Sequence, residues 1–151
     1  MDEYPLADRG ACSVARTLAV LGDAWSLLVV REMFLGAHRF DQLHAHLGIA
    51  RNVLAARLRR LIEHGILTKR RYAEHPERFE YHLTGKGVDL YPALVALMQW
   101  GDHHLAGPDG GPIVLEHKTC GHATTLVPSC TACGAPVSAR EMRVRARHAV
   151  V

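Results

Sequence analysis

The stretch HRFDQLHAHLGIARNVLAARLRRLIEHG, residues 38–65, constrains the fold more than any other, because helical apolar spacing runs through it twice with one glycine between. A short amphipathic helix from Phe40 to Leu47 meets Gly48 and a tight turn, and a longer helix follows from about Arg51 to His64. On the longer helix Leu54, Leu58, Leu61 and Ile62 gather on one side. The opposite side displays Asn52, Ala56, Arg59 and Arg60, with Arg51, Val53 and Arg57 on the flanks, and Gly65 ends the helix. Two helices joined this way form a helix-turn-helix. Packing requires the leucines but not the arginines. Arginine pairs bidentately with guanine edges and with phosphate, and asparagine with adenine edges, so the outer face has the residue types of a major-groove reader.

The charge pattern points the same way. The net charge is only +3, yet Arg51, Arg57, Arg59, Arg60, Lys69, Arg70 and Arg71 face the single acid Glu63 between residues 51 and 71. That segment therefore carries 7 − 1 = +6, and the rest of the chain sums to −3. A concentrated basic patch on a near-neutral body is the footprint of a polyanion-binding surface. A solvated helix face is the alternative that charge by itself leaves open. No apolar run approaches the roughly 20 residues that span a bilayer. The opening MDEYPLADRGACS lacks the apolar core of a secretory signal, which makes a cytoplasmic location the default.

The flanking segments extend the pattern. SVARTLAVLGDAWSLLVVREMFLG reads as two helices separated near Gly22, the first capped by Ser13 and the second stopped by Gly36, with Trp25 as a core or interface anchor. After Gly65, ILTKRRY and RFEYHL read as strands joined by AEHPE, and this hairpin makes the helix-turn-helix a winged helix. His75 and Arg78 stand at the wing tip, within reach of phosphate or an adjacent minor groove. GKGVDLYPALVALMQWGDHHL reads as one final helix capped by Thr84 and kinked at Pro92. It is apolar almost all round, so a second subunit is expected to cover what so small a domain cannot. The Gly/Pro run AGPDGGP, residues 106–112, separates this domain, residues 1–105, from a small module and basic tail, residues 113–151. The tail REMRVRARHAVV fits either an edge strand or a basic arm. The fold class expected is mainly α (α+β): a winged helix-turn-helix with a small C-terminal zinc-ribbon-like β module.

CSVARTLAVLGDAWSLLVVREMFLGAHRFDQL, RNVLAARLRRLIEHGIL and EYHLTGKGVDLYPALVAL together resemble the HxlR-type winged-helix regulators over about residues 12–101. The resemblance implies a homodimeric DNA-binding transcriptional regulator, a repressor at promoter operators, with the first and last helices forming the dimer and double-stranded DNA as partner. Carried onto this chain, it implies DNA contacts from Arg39, from Arg51, Asn52, Ala56, Arg57 and Arg60 on the recognition helix, and from the wing around His75 and Arg78. Two departures stand out. Ala50 opens the recognition helix where family members usually carry a capping hydroxyl, and Ala55 and Ala56 replace longer polar side chains. Base contacts are then few, and DNA shape shares the work of specificity. Cys12 falls where some members sense oxidants or electrophiles, which gives an alternative role as a redox- or metal-responsive sensor signalling through Cys12 or the Cys/His cluster. A packed, inert cysteine at the dimer seam is the other reading. The effector is not legible.

That cluster, HKTCGHATTLVPSCTACG, holds three of the four cysteines. His117-x-x-Cys120-Gly and Cys130-x-x-Cys133-Gly read as two knuckles of a zinc ribbon, with His117, Cys120, Cys130 and Cys133 as ligands to a structural Zn2+ and His122 competing with His117. A Cys130–Cys133 redox pair is the alternative. A catalytic metal is not expected. The Cys-x-x-Cys does not follow proline directly, no His-Glu-x-x-His occurs, and four protein ligands leave zinc no open position. Without a P-loop or a Gly-x-Ser-x-Gly motif either, the chain is not expected to be an enzyme.

Overall fold

The computed structural model describes residues 12–144; residues 1–11 and 145–151, which include most of the basic tail, lie outside the described residues. The chain runs α1 (Ser13–Leu21), α2 (Ser26–Phe34), α3 (Phe40–Leu47), α4 (Arg51–Glu63), β1 (Leu67–Glu74), β2 (Glu77–Leu83), α5 (Gly85–Val88), α6 (Tyr91–His104), β3 (Glu116–His117) and β4 (His122–Ala123). This is an α+β winged helix-turn-helix architecture with two small β-hairpins. It divides into two compact units, the first running to Leu94 and the second beginning at Val95. No single helix among the described residues is long and apolar enough to cross a membrane.

The first unit is built around one cluster. Val29, Val30 and Met33 of α2, Leu43 of α3, and Leu54, Leu58 and Leu61 of α4 are buried together with Leu21, Ile66, Leu67 and Tyr81. Each fully buried side chain of this kind contributes roughly 1.5–3 kcal/mol. Trp25 packs against the cluster half-buried, as an anchor does. Among the described residues charge enters at one point: Glu32 on α2 is buried and accepts hydrogen bonds from Arg31 Nε at 3.0 Å and from His46 Nδ1 of α3 at 2.8 Å. Burial raises the Glu32 pKa, but the hydrogen bonds from Arg31 and His46 and their charges outweigh it, holding the carboxyl below its ordinary range.

Local chemistry sets the boundaries. Gln42 Oε1 accepts the backbone N–H groups of His38 and Arg39, at 3.1 and 2.9 Å, and so satisfies donors at the start of α3. Gly48 takes a φ of +62° between α3 and α4, a left-handed turn that a side chain would strain. The wing strands pair antiparallel with one irregularity, Tyr72, between Arg71↔Phe79 and Ala73↔Arg78. The backbone of Tyr81 donates to His38 O at 2.7 Å and Arg39 bridges Glu80, which ties the wing to the start of the helix-turn-helix.

Three boundary expectations are corrected. Ser13 is the first residue of α1, not its cap; Cys12 holds the cap position and no side chain caps the helix. The wing strands continue through most of AEHPE, leaving His75 and Pro76 as the turn. The expected single final helix is two, α5 and α6. Thr84 does cap α5, its Oγ1 accepting from Gly87 N at 3.1 Å. Pro92 then falls in the first turn of α6, where its missing N–H has no helical acceptor to lose, so it starts a helix instead of kinking one.

In the second unit, Gln99 on α6 clamps the backbone of Leu126, donating to its O at 3.0 Å and accepting from its N at 2.8 Å. β3 and β4 pair through Glu116↔Ala123 and His117↔His122, and a Ser129↔Pro136 bridge closes a second turn. No described residue from 113 to 144 is buried.

Gly87 supplies a stability test. A Cβ there would lie 2.3 Å from Ile66 O and 2.9 Å from Leu83 Cδ2, whereas one at Gly85 meets nothing within 4 Å. In urea unfolding Gly87→Ala is expected to lose about 1–3 kcal/mol, and Gly85→Ala to shift by less than about 1 kcal/mol.

Candidate nucleic-acid interface

The leucines of α4 decide which of its other residues face outward. With Leu54, Leu58 and Leu61 buried, Arg51, Asn52, Ala56 and Arg59 are exposed, and they fall along one face of the helix. Ala50 occupies the cap position and makes no side-chain cap bond. The amide hydrogens of the first turn are thus left without a side-chain partner, available to water or to an anion.

Arg57 and Arg60 are turned the other way. Arg57 Nε lies 3.2 Å from Asp23 Oδ1 in the turn between α1 and α2, close enough to pair as ions though not aligned as a hydrogen bond. Arg60 donates an Nη2 hydrogen to the carbonyl of Ala19 near the C-terminal end of α1, where the helix dipole favours a cation. Both guanidiniums thus engage protein acceptors. Helical spacing places Arg60 on the outer face, whereas in the structure it is half-buried. The reason is long-range: helical periodicity fixes an angle around α4 but does not show that α1 ends beside it.

Asp23 organises this junction. Its Oδ1 accepts the backbone N–H groups of Trp25 at 2.9 Å and Ser26 at 3.0 Å, and Ser26 Oγ donates to Oδ2. Burial pushes the carboxyl pKa up. The Ser26 hydroxyl, the two backbone N–H groups and the Arg57 charge outweigh that and hold it below its ordinary 3.8.

The remaining predicted contacts are on the surface. Arg51 reaches Asp41 Oδ1 at 2.9 Å and lies 4.9 Å over the Phe40 ring. Arg39 joins Glu80 Oε1 at 3.0 Å and lies 4.5 Å over Tyr72, linking the start of α3 to the wing. The Arg39 hydrogen bond is the main reason the Glu80 carboxyl titrates below its ordinary range. His75 and Arg78 are exposed at the wing turn and on β2. Arg71 pairs with Glu74 and Glu77, whereas Arg59 and Arg70 have no ion pair among the described residues. Arg59, on the outer face of α4, is exposed.

In the second unit, His117 Nδ1 and Cys120 Sγ stand 3.4 Å apart. Backbone N–H groups of Cys133 and Ala132 and the Cys133 side chain lower the pKa of Cys130. Among the described residues, no three His, Cys, Asp or Glu side chains converge on one point.

Residues 20–108 match the family model described as HxlR-like helix-turn-helix. The chain belongs to the HxlR family. An HTH-type transcriptional regulator of Mycobacterium tuberculosis (strain ATCC 25618 / H37Rv) is similar to it, 48% identical over 130 residues that cover 86% of this chain and 82% of that protein. The crystal structure of the transcription factor PA1607 is 41% identical and superposes with a TM-score of 0.81, covering 91% of this chain and 96% of that one. A structure of the redox regulator HypR in its oxidized form is 31% identical with a TM-score of 0.57, over 62% of this chain and 97% of that one. As an HxlR-family protein the chain is a DNA-binding HTH-type transcriptional regulator, and its function is non-enzymatic.

Two stability outcomes follow from the arginine geometry. Arg57→Ala is expected to lower the unfolding free energy by about 1 kcal/mol, and Arg59→Ala to leave it within about 0.5 kcal/mol. Because the folded-state pKa of Asp23 is depressed, its contribution is present above its unfolded pKa and is lost as pH falls through the folded value. Urea midpoints measured downward from about pH 5 should therefore fall further in wild type than in Asp23→Asn.

Proposed function

We propose that the chain acts as a cytoplasmic homodimeric repressor, placing two copies of α4 in successive major-groove half-sites about 34–36 Å apart. The observation that carries this reading is the outer face of α4. Four side chains there are exposed, Arg59 has no acidic partner, and the leucines behind leave that face no packing role. In this reading Arg51 and Arg59 hold phosphates, Asn52 reads a base edge, and Ala56 allows close approach. Arg39, His75 and Arg78 contribute from the start of α3 and from the wing, while Arg57 and Arg60 act indirectly by holding α4 in place. Residues 113–144 form, in this reading, a zinc-ribbon-like appendage.

The dimer is supported by apolar surface that a single chain leaves uncovered. On α1, Val14 and Leu18 are 66% and 57% exposed, and on α6 Leu97 and Trp100 are 55% and 57% exposed. Side chains of this size rarely stay wet in numbers unless a partner covers them.

A second reading, that DNA release follows oxidation of Cys12, is favoured by the likeness to the redox regulator HypR and by the half-buried position of Cys12 at the start of α1. Intact-mass analysis after mild peroxide, on protein assayed in parallel for DNA binding, tests it; Cys12 unmodified at concentrations that release DNA rejects it.

Gel shifts on fragments of the chain's own promoter test the main reading. Asn52→Ala is expected to narrow the gap between cognate and scrambled duplexes. Arg59→Ala should weaken both and reduce the steepness of the salt dependence by about one phosphate contact. A monomer in light scattering that binds neither duplex at low salt would refute the proposal.

A further inference from the structure

The two turns of the second unit share one construction. In the first, His117 O accepts the backbone N–H groups of Cys120 at 3.1 Å and Gly121 at 2.8 Å. In the second, Cys130 O accepts from Gly134 N at 2.8 Å, and Cys130 N donates to Ala135 O at 2.8 Å. Each turn closes on a left-handed glycine, Gly121 at φ +70° and Gly134 at φ +76°. In the second turn the backbone N–H groups of Ala132 and Cys133 point at the Cys130 sulfur. Each turn thus brings two soft or borderline donors together at its tip.

The donor separation is informative. Ideal Zn–N and Zn–S bonds at the tetrahedral angle place nitrogen and sulfur about 3.6 Å apart. His117 Nδ1 and Cys120 Sγ are 3.4 Å apart, close to that edge length. His122 lies opposite His117 in the strand pairing, and the hydrogen-bond-distance partner of Cys120 Sγ is His117. The geometry therefore favours His117 as the donor. The surrounding chain also lacks a core, since no described residue between 113 and 144 is buried. Segments this short without a core depend on a staple.

We propose that the two turns are two-donor clamps that close on a single structural Zn2+, through His117 Nδ1 and the sulfurs of Cys120, Cys130 and Cys133. Among the described residues the donors stand as two pairs and do not converge on one point, so binding would draw the pairs together. The ion joins the two hairpins. Binding releases one proton from each of the three thiols to solvent, with the imidazole neutral and no electron transferred. Three thiolates against the dication leave the site at −1. The four protein donors fill the tetrahedron and leave no position for substrate or water, so the ion orders the segment and does no chemistry.

The test uses the untagged full-length chain. Elemental analysis is expected to give about one zinc per chain. Cys120→Ser, Cys133→Ser and His117→Ala should fall to background, while His122→Ala and Cys12→Ser keep the metal. Cobalt added to chelator-stripped wild type should give thiolate-to-cobalt charge transfer and tetrahedral d–d bands that zinc abolishes, so the answer survives a cysteine variant that fails to fold. Full zinc retention in Cys133→Ser, loss in His122→Ala but not in His117→Ala, or a stripped chain that gives no cobalt bands would overturn the assignment. So would a Cys130–Cys133 disulfide in protein purified under reducing conditions. None of these measurements passes through DNA binding, so they stand or fall apart from the regulator reading.

Discussion

The setting of α4 about its own axis is the constraint on which the rest of the first unit depends. Leu54, Leu58 and Leu61 bury into the cluster formed with α2, α3 and the base of the wing, and together they outweigh any polar contact the helix makes. Part-exposed ion pairs such as Arg57–Asp23 contribute about 1 kcal/mol at most. The leucines therefore choose the orientation, and the charged residues accommodate to it. Once they do, Asn52, Ala56 and Arg59 have only one direction to face.

The same rotation divides the arginines by task. Arg57 and Arg60 reach the α1–α2 junction, where Asp23 caps the start of α2 and the Ala19 carbonyl near the end of α1 accepts a donor. The helix proposed to sit in a groove is thereby fastened to α1, which carries exposed apolar side chains of its own. The basic character of residues 51–71 is also thinner at the surface than its sequence total suggests. Acids partner Arg51 and Arg71, the Lys69 ammonium lies over Phe79, and two guanidiniums turn inward. Among the described residues, what faces outward without an ion pair is Arg59, with Arg70 on the wing.

The two units show contrasting ways of ordering a chain. The first buries leucines and valines drawn from five consecutive elements, with isoleucines from the connections between them. The second, past α6, has short pairings, a glutamine clamp on Leu126 and two glycine-closed turns, with no interior of its own among the described residues. Hydrogen bonds left open to water contribute little net stability each.

The sequence by itself determined the elements and their kinds. Phe40–Leu47, the Gly48 turn, the helix from Arg51, the wing and both glycine-closed turns of the second unit were legible because each depends on neighbours a few residues apart. The exposed face of α4 was legible for the same reason. Only the tertiary structure decided that Arg57 and Arg60 point into the protein, since their acceptors lie 34 and 41 residues away in sequence. It also decided that Pro92 opens a helix, because the break before Tyr91 follows from Thr84 anchoring to Gly65 O and Ile66 O and Gly87 packing against Ile66. Periodicity reports the angle at which a side chain leaves its own helix; what waits there is set by which distant segment the core has drawn alongside.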